Sequence, residues 1–201
     1  MPEVTQPRPW RVLYGGSFDP FHEGHRAVVE ALLAWGADDV WIIPAARSPF
    51  KRQAPGASDA DRLEMCREGT VGLKGVHVSD VDLARPAPSW AIDTVRLLQA
   101  RHPGGTWWWA LGSEHLPTLA GWRDIDELAR RIRFAVVERP DLASSLSRNF
   151  AILPMDHIPM PPRAVSATAV RAALARGETP TDLAPGVQDR IRRKGLYRNA
   201  P

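Results

Sequence analysis

The residues best suited to chemistry are residues 15–25, which read GGSFDPFHEGH. An apolar run, residues 11–14, precedes them and predicts a strand, and the segment that follows is typical of a helix. His22 and His25 are three positions apart, so both imidazoles lie on one side of the first helical turn if the helix begins by His22. Backbone N–H groups and the positive end of the helix dipole converge at such a turn. The pattern therefore predicts an anion site that suits a phosphate.

Glycines flank the histidines in this segment. Gly15 and Gly16 permit backbone angles that other residues avoid, and they let a ligand approach the main chain. Gly24 would cost a helix roughly 1 kcal/mol relative to alanine, so we expect something as large as an adenosine to pass close to it. An ordinary turn with solvated histidines is the competing interpretation. The sequence contains no G-x-x-x-x-G-K-[ST], no G-x-G-x-x-G and no H-E-x-x-H zinc motif.

This segment resembles the H-x-G-H motif of the nucleotidyltransferases. Its longer form is similar to G-G-[ST]-F-D-P-[IFV]-H-x-G-H of the nicotinate-nucleotide adenylyltransferases. Those enzymes have a Rossmann-like fold and join a mononucleotide to the AMP part of ATP, releasing pyrophosphate. The resemblance implies that His22 and His25 act in catalysis. It also implies that ATP contacts the rest of the segment, at Gly15, Gly16, Ser17, Phe18 and Gly24.

A second motif, residues 165–171, reads VSATAVR. Ser166 is a candidate N-cap, and Thr168 and Arg171 share one face of the helix that follows. Taken alone, the pattern is that of a capped surface helix. It is also similar to I-S-[AS]-T-x-[IV]-R of the same family, which implies that Ser166 and Thr168 bind the ATP phosphates and that Arg171 is catalytic. We expect the two motifs to face one polyphosphate across a shared cleft.

Aromatic residues between the two motifs are candidates for mononucleotide binding. Ser89 and Trp90 begin a predicted helix, with Ser89 as its N-cap. Taken alone, the segment is typical of a capped helix with a core tryptophan. It also resembles the family's P-S-Y-T-x-D-T-L, with Ala91 in place of threonine, which implies that it holds the mononucleotide. Trp122 lies where family members carry a tryptophan that stacks on the nicotinate ring. The alternative is again a core tryptophan.

Two further segments follow predicted strands. Gly112 and Glu114 resemble the family's G-[AST]-D, which implies that Gly112 lets a ribose or adenine approach and that Glu114 contacts the substrate. His115 has no clear partner, and we expect it to be structural. Arg139 resembles the first residue of the family's R-P-G, with Asp141 in place of glycine, and its guanidinium would bind the mononucleotide phosphate.

Residues 44–57 form the longest polar stretch, with three prolines and three basic residues. Long loops in compact domains are often functional lids, but a solvated connector is the alternative. Lys51 lies where the family pattern is similar to P-P-H-[KR], with Phe50 in place of the histidine. Lys51 is therefore either a ligand of the ATP phosphates or a surface lysine.

Short apolar segments alternate with helical ones along the chain. Strands are predicted at residues 11–14, 39–43, 76–79, 106–111, 134–137 and 150–153. Helices are predicted at residues 23–35, 59–70, 89–101, 125–132, 167–175 and 186–194. This alternation predicts an α/β fold, a Rossmann-like doubly wound parallel sheet with helices on both faces. We expect one domain over residues 1–201, with a flexible segment at 1–9 and a ligand at the carboxyl ends of the strands.

Composition limits the range of functions. The chain of 201 residues is 44% hydrophobic and 24% charged, with a net charge of +3 and scattered basic residues, which does not favour nucleic-acid binding. A single cysteine, Cys66, is typical of a reducing compartment. Neither a signal peptide nor a run of about 18 apolar residues is evident. We expect a cytoplasmic protein with no membrane contact, and whether it forms a homo-oligomer is left open.

Together these patterns predict adenylyl transfer from ATP to nicotinate mononucleotide, giving deamido-NAD. The resemblance implies Mg²⁺ bound with ATP and held mainly by phosphate oxygens and water, with no metal site on the protein itself. One alternative keeps the chemistry but changes the acceptor to nicotinamide mononucleotide or a phosphopantetheine-like molecule. Another, of a different class, is a nucleotide-sensing protein without turnover.

Overall fold

The chain folds around a parallel β-sheet. We describe it from a computed structural model, which covers residues 9–47, 54–138, 153–160 and 165–198. In these ranges the strands are β1 (Trp10–Gly16), β2 (Asp39–Pro44), β3 (Val76–Val78), β4 (Thr106–Gly112), β5 (Arg133–Val137) and β6 (Met155–Ile158). They form one six-stranded sheet in the order β3-β2-β1-β4-β5-β6, and every neighbouring pair is parallel. The predicted α/β fold class is confirmed.

Helices connect the strands. They are α1 (Glu23–Trp35), α2 (Asp59–Gly69), α3 (Ala91–Arg101), α4 (Leu116–Leu119), α5 (Ile125–Arg131), α6 (Ala167–Ala175) and α7 (Pro185–Lys194), with a 3₁₀ turn at Ser113–His115. The six predicted helices are all present, and their ends agree with the prediction to within two residues. The 3₁₀ turn and α4 were not predicted, because they are too short to show a helical repeat.

Successive residues of the central strands enter opposite cores. In β1, Val12 belongs to the core under α1, α2, α6 and α7, whereas Leu13 belongs to the core under α3, α4 and α5. The same alternation accounts for the tryptophan run in β4. Trp108 packs in the first core, and Trp107 and Trp109 pack in the second. A parallel strand that is buried on both faces needs large apolar side chains at every position.

The last strand of the sheet differs from the sequence-based expectation. Residues 150–152 of the predicted strand lie outside the described residues, and Leu153 is not in a strand. The described strand β6 begins at Met155 and pairs with β5. Two of its four residues, Asp156 and His157, are polar, because β6 is an edge strand on which side chains reach solvent. Its sequence therefore lacks the continuous apolar run by which the other strands were predicted.

The strand order reverses at β1, which has β2 on one side and β4 on the other. The polypeptide leaves the sheet in different directions at this switch point, so a crevice opens at the carboxyl ends of β1 and β4. Those ends are Gly16 and Gly112. Among the described residues, no helix has both the length and the apolar character needed to cross a membrane.

Candidate active site

A cavity of about 240 Å³ lies at the switch point of the sheet. Five residues of the first motif line it: Gly15, Gly16, Ser17, Phe18 and His25. Five described residues that were predicted to contact the substrates from the segments after later strands also line it: Ser89, Trp90, Gly112, Glu114 and Trp122. The structure therefore brings part of the predicted ATP side and the predicted mononucleotide side together in one cavity. The other described residues of the predicted catalytic and ATP site are not among its lining residues: His22, Gly24, Ser166, Thr168 and Arg171.

The two histidines are held by the start of helix α1. His22 is the N-cap residue, and its ring Nδ1 accepts a hydrogen bond from the backbone N–H of His25 at 3.3 Å. In return, the Nδ1 of His25 accepts from the backbone N–H of His22 at 3.2 Å. The two rings stack, with centroids 3.7 Å apart and planes 20° apart. Because each Nδ1 accepts, each neutral ring carries its proton on Nε2, which is thereby a hydrogen-bond donor.

The prediction that both imidazoles lie together is confirmed, although α1 begins at Glu23 rather than at His22. The two rings differ in exposure. His22 is only 3% exposed, whereas His25 is half-buried and lines the cavity. His25 is therefore the member of the pair that reaches the cavity.

The glycines of the first motif are needed for reasons that the sequence did not reveal. None of Gly15, Gly16 and Gly24 has a left-handed backbone. A Cβ on Gly15 would lie 2.7 Å from the indole of Trp109, and one on Gly24 would lie 3.0 Å from the imidazole of His22. The expectation that Gly15 and Gly16 supply unusual angles is wrong. The space beside Gly15 and Gly24 is filled by the protein's own aromatic rings.

The second motif contacts the first. Ser166 is the N-cap of α6 and accepts from the backbone N–H of Ala169 at 3.2 Å, as predicted. The guanidinium of Arg171 donates from Nη1 to the backbone carbonyl of Asp19 at 2.6 Å and from Nη2 to Oγ1 of Thr168 at 3.4 Å. Two segments about 150 residues apart in sequence are thus joined directly, as the prediction of a shared cleft requires.

A buried carboxylate, Asp19, fixes the loop between β1 and α1. It is 5% exposed and accepts three hydrogen bonds. The backbone N–H groups of Gly56 and Ala57 donate at 2.7 and 3.0 Å, and the hydroxyl of Tyr197 donates at 2.7 Å. Burial and the adjacent Asp19 charge raise the pKa of Tyr197 well above its usual range. The hydroxyl therefore stays protonated and donates to Asp19 at any ordinary pH.

Sequence reasoning missed this role of Asp19 and Tyr197. Asp19 lies in the first motif, whose resemblance to the family was the only available signal. Their 178-residue separation in sequence gave no indication of a contact.

A second buried polar side chain supports the same loop. Arg62 on helix α2 is fully buried, and its Nη1 donates to the backbone carbonyl of Ser17 at 2.7 Å. Its Nη2 donates to Asp59 at 2.6 Å. Arginines are rarely buried unless they are paired. The sequence pattern of α2 alone therefore gave no reason to expect a buried Arg62 in contact with the loop.

Ser89 has a different role from the predicted one. Helix α3 begins at Ala91, its N-cap is Trp90, and no side chain caps it. The Oγ of Ser89 instead accepts from the backbone N–H of Ala46 at 3.1 Å, and its own N–H donates to the carbonyl of Arg47 at 3.1 Å. The prediction of a Ser89 N-cap is wrong, because the serine ties the loop after β2 to the start of α3.

Asp82 is a lining residue that the sequence did not identify. It is 4% exposed and accepts hydrogen bonds from Thr94, at 2.6 Å, and from Arg85. Burial raises the pKa of Asp82 above its ordinary value, and the hydrogen bonds and the Arg85 charge oppose that rise. The positive charge of Arg85 therefore offsets the one buried carboxylate of the described cavity wall.

Glu114 folds back over the end of strand β4. A Cβ on Gly112 would lie 2.0 Å from Oε2 of Glu114. The space that was expected to admit a ribose or adenine thus holds this carboxylate in the structure. His115, expected to be structural, also lines the cavity, with Nε2 3.8 Å from Oε1 of Glu114.

Arg123 is a further lining residue that the sequence did not single out. Its guanidinium carbon lies 5.5 Å from the centroid of the Trp90 ring, and both side chains line the cavity. Trp122 packs edge-on against Trp109, with centroids 6.1 Å apart. This part of the wall is therefore aromatic with one guanidinium beside it.

Lys51 and Arg139, together with Phe50 and Asp141, lie outside the described residues. No group of three or more His, Cys, Asp or Glu side chains that could hold a metal ion occurs in the described part of the chain. Asp19, the buried carboxylate of the loop before the histidines, is already bound by three donors. That Mg²⁺ is held mainly by phosphate oxygens and water stays a prediction.

Known proteins resemble this chain over most of its length. Residues 13–173 match the Cytidylyltransferase-like family. A protein from Gloeobacter violaceus named "Probable nicotinate-nucleotide adenylyltransferase" is 38% identical over 92% of this chain and 94% of its own. A protein of the same name from Bordetella petrii is 37% identical over 92% of this chain and 97% of its own. This chain belongs to the nicotinate-nucleotide adenylyltransferase family.

Solved structures of the nicotinate-nucleotide adenylyltransferase type share the fold. The Plasmodium falciparum nicotinic acid mononucleotide adenylyltransferase complexed with NaAD superposes with a TM-score of 0.78 over 96% of this chain and 99% of its own. The same protein complexed with APC gives a TM-score of 0.73. Both are 18% identical to this chain, so the likeness establishes the Rossmann-like architecture.

Proposed function

We propose that this protein transfers the adenylyl group of ATP to nicotinate mononucleotide, giving deamido-NAD and pyrophosphate. A phosphate oxygen of the mononucleotide attacks the α-phosphorus of ATP, and a P–O bond forms. The bond from that phosphorus to the oxygen bridging to the β-phosphate breaks, and pyrophosphate leaves with the electron pair. The nucleophile is already ionised at neutral pH, so no general base is needed.

One observation carries the proposal: the guanidinium of Arg171 contacts the loop that ends at the histidine pair, 2.6 Å from the carbonyl of Asp19. A polyphosphate at this switch point would meet the imidazole of His25, which lines the cavity, while the buried His22 would hold that ring in place through the stacked pair. It would also meet the remaining N–H groups of Arg171, since a guanidinium has five. Catalysis would consist of positioning and of stabilising charge on the leaving pyrophosphate.

The other predicted residues would complete the two substrate sites. Gly15, Gly16, Ser17 and Phe18 would contact ATP from the cavity wall, with Gly24, Gly112, Ser166, Thr168 and Lys51 around its phosphates and adenosine. Ser89, Trp90, Glu114, Trp122 and Arg139 would hold the mononucleotide. Mg²⁺ bound with ATP would supply additional neutralisation of phosphate charge.

The reaction is tested by measuring pyrophosphate release from ATP with nicotinate mononucleotide, nicotinamide mononucleotide or phosphopantetheine supplied in turn. We expect release with nicotinate mononucleotide. Release with only one of the other acceptors would replace the proposed substrate. No release with any acceptor, alongside measurable ATP binding, would identify a nucleotide sensor and refute the enzyme.

His25→Ala tests the role of the histidine pair. We expect kcat to fall about 100- to 1000-fold, the usual cost of removing one donor to transition-state charge. His77→Ala is the matched control, because His77 is an exposed histidine that pairs with Asp39 at 2.8 Å and does not line the cavity. Equal turnover in the two variants would contradict the assigned role.

A further inference from the structure

The cavity wall carries one strongly basic side chain where it is most aromatic. Among the described lining residues, Arg123 is the only arginine or lysine. Its guanidinium carbon lies 5.5 Å from the centre of the Trp90 ring. An arginine on an aromatic face is held by cation–π attraction while the N–H groups at its edge stay available.

The ion-pair partner of Arg123 in the described structure is weakly placed. Oδ2 of Asp124 lies 4.0 Å from Nε, and the Arg123 side chain is 53% exposed. Such a surface pair contributes little and competes poorly with a well-aligned anion. The guanidinium therefore retains most of its capacity to bind a ligand carboxylate.

The remaining charges of this wall do not provide an anion site. Arg85 and Thr94 donate hydrogen bonds to Asp82, so the positive charge of Arg85 is neutralised by that carboxylate. Glu114 would repel an anion, and His115 lies 3.8 Å from it. A negatively charged ring entering beside Trp90 and Trp122 would thus find its favourable charge at Arg123.

We propose that Arg123 selects the acid over the amide: its guanidinium pairs with the carboxylate of the pyridine ring while that ring lies against the tryptophan faces. This inference rests on the proposed function and refines its acceptor. A guanidinium fork matches a planar carboxylate with two parallel N–H···O bonds, which a carboxamide cannot accept in the same way. Arg123 is thereby a specificity-determining residue.

The test is steady-state kinetics of Arg123→Gln and Arg123→Lys with each mononucleotide. Loss of a charge-assisted hydrogen bond corresponds to a KM for nicotinate mononucleotide raised about 10- to 100-fold in Arg123→Gln. We expect the KM values for ATP and for nicotinamide mononucleotide to stay within about threefold. Arg123→Lys keeps the charge but loses the fork, so it should restore part of the preference.

Arg176→Gln is the matched control, because Arg176 pairs with Glu178 on the surface and does not line the cavity. It should leave the acid-to-amide ratio unchanged. An unchanged ratio in Arg123→Gln, or an equal loss with both mononucleotides, would overturn the role of Arg123 alone. Failure of the unaltered enzyme to use either mononucleotide would instead overturn the proposed function.

Discussion

Replacing Tyr197 with phenylalanine removes one hydroxyl from the buried cluster that holds the loop between β1 and α1. The hydroxyl donates to Oδ1 of Asp19 at 2.7 Å, and both residues are buried. A hydrogen bond to a charged acceptor contributes about 1.5 to 3 kcal/mol. We therefore expect Tyr197→Phe to lower the free energy of unfolding at pH 7 by about 2 kcal/mol and Tm by about 4 to 8 °C.

The same contact gives a pH signature. An unfolded tyrosine has a pKa near 10, whereas burial and the Asp19 charge raise the pKa of folded Tyr197 well above that value. Above pH 10 the unfolded chain loses a proton that the native protein keeps, so Tyr197 stabilises the fold less as pH rises. The wild-type advantage over Tyr197→Phe should shrink by about 1.4 kcal/mol between pH 8 and pH 11.

The assay is urea unfolding followed by tryptophan fluorescence, which the eight tryptophans make sensitive. Tyr14→Phe, which removes the chain's other tyrosine hydroxyl, tests whether any tyrosine produces the same pH effect. If the stabilities of wild type and Tyr197→Phe stay parallel from pH 8 to pH 11, the tyrosine is not protonated against a buried carboxylate and the reasoning is refuted.

One further variant and one labelling experiment test other parts of the structure. In Gly24→Ala the new methyl lies 3.0 Å from the His22 imidazole, so we expect kcat to fall at least tenfold. The free energy of unfolding in urea should change by no more than about 1 kcal/mol. Unchanged kcat would show that the stacked histidine pair is not required. Burial raises the pKa of the Cys66 thiol, and the charges of Arg62 and Arg67 oppose that rise. Cys66 should therefore resist thiol reagents in the native protein and react only on unfolding. Rapid labelling of the native protein would contradict the burial of Cys66.

Much of the local structure could be predicted from the sequence. The helices at Glu23–Trp35 and Ala167–Ala175 begin at the predicted residues because each has an N-cap side chain that accepts a backbone hydrogen bond. The Ser89 prediction used the same reasoning and was wrong. A serine at a helix start can accept a hydrogen bond from the helix or from another segment, and here Oγ of Ser89 accepts from the backbone N–H of Ala46, 43 positions earlier.

Residue types identified the candidate site but not the reason for each residue. The glycine beside His22 was attributed to a nearby ligand, whereas the structure shows an imidazole in that space. Arg123 was not singled out, because its meaning depends on the Trp90 face that lies beside it. Sequence patterns report a residue's own propensity, and they do not report which side chain fills the space next to it.

By itself, the sequence determined the alternation of strands and helices, the two motifs and the family to which the chain belongs. Those properties follow from short-range patterns: apolar periodicity, capping residues and motif spacing. Only the tertiary structure decided that the Asp19 carboxylate accepts a hydrogen bond from Tyr197, near the other end of the chain, and that Arg171 donates one to the same loop. Such contacts arise where strand order and helix packing bring distant segments together, and their geometry is set by the whole fold.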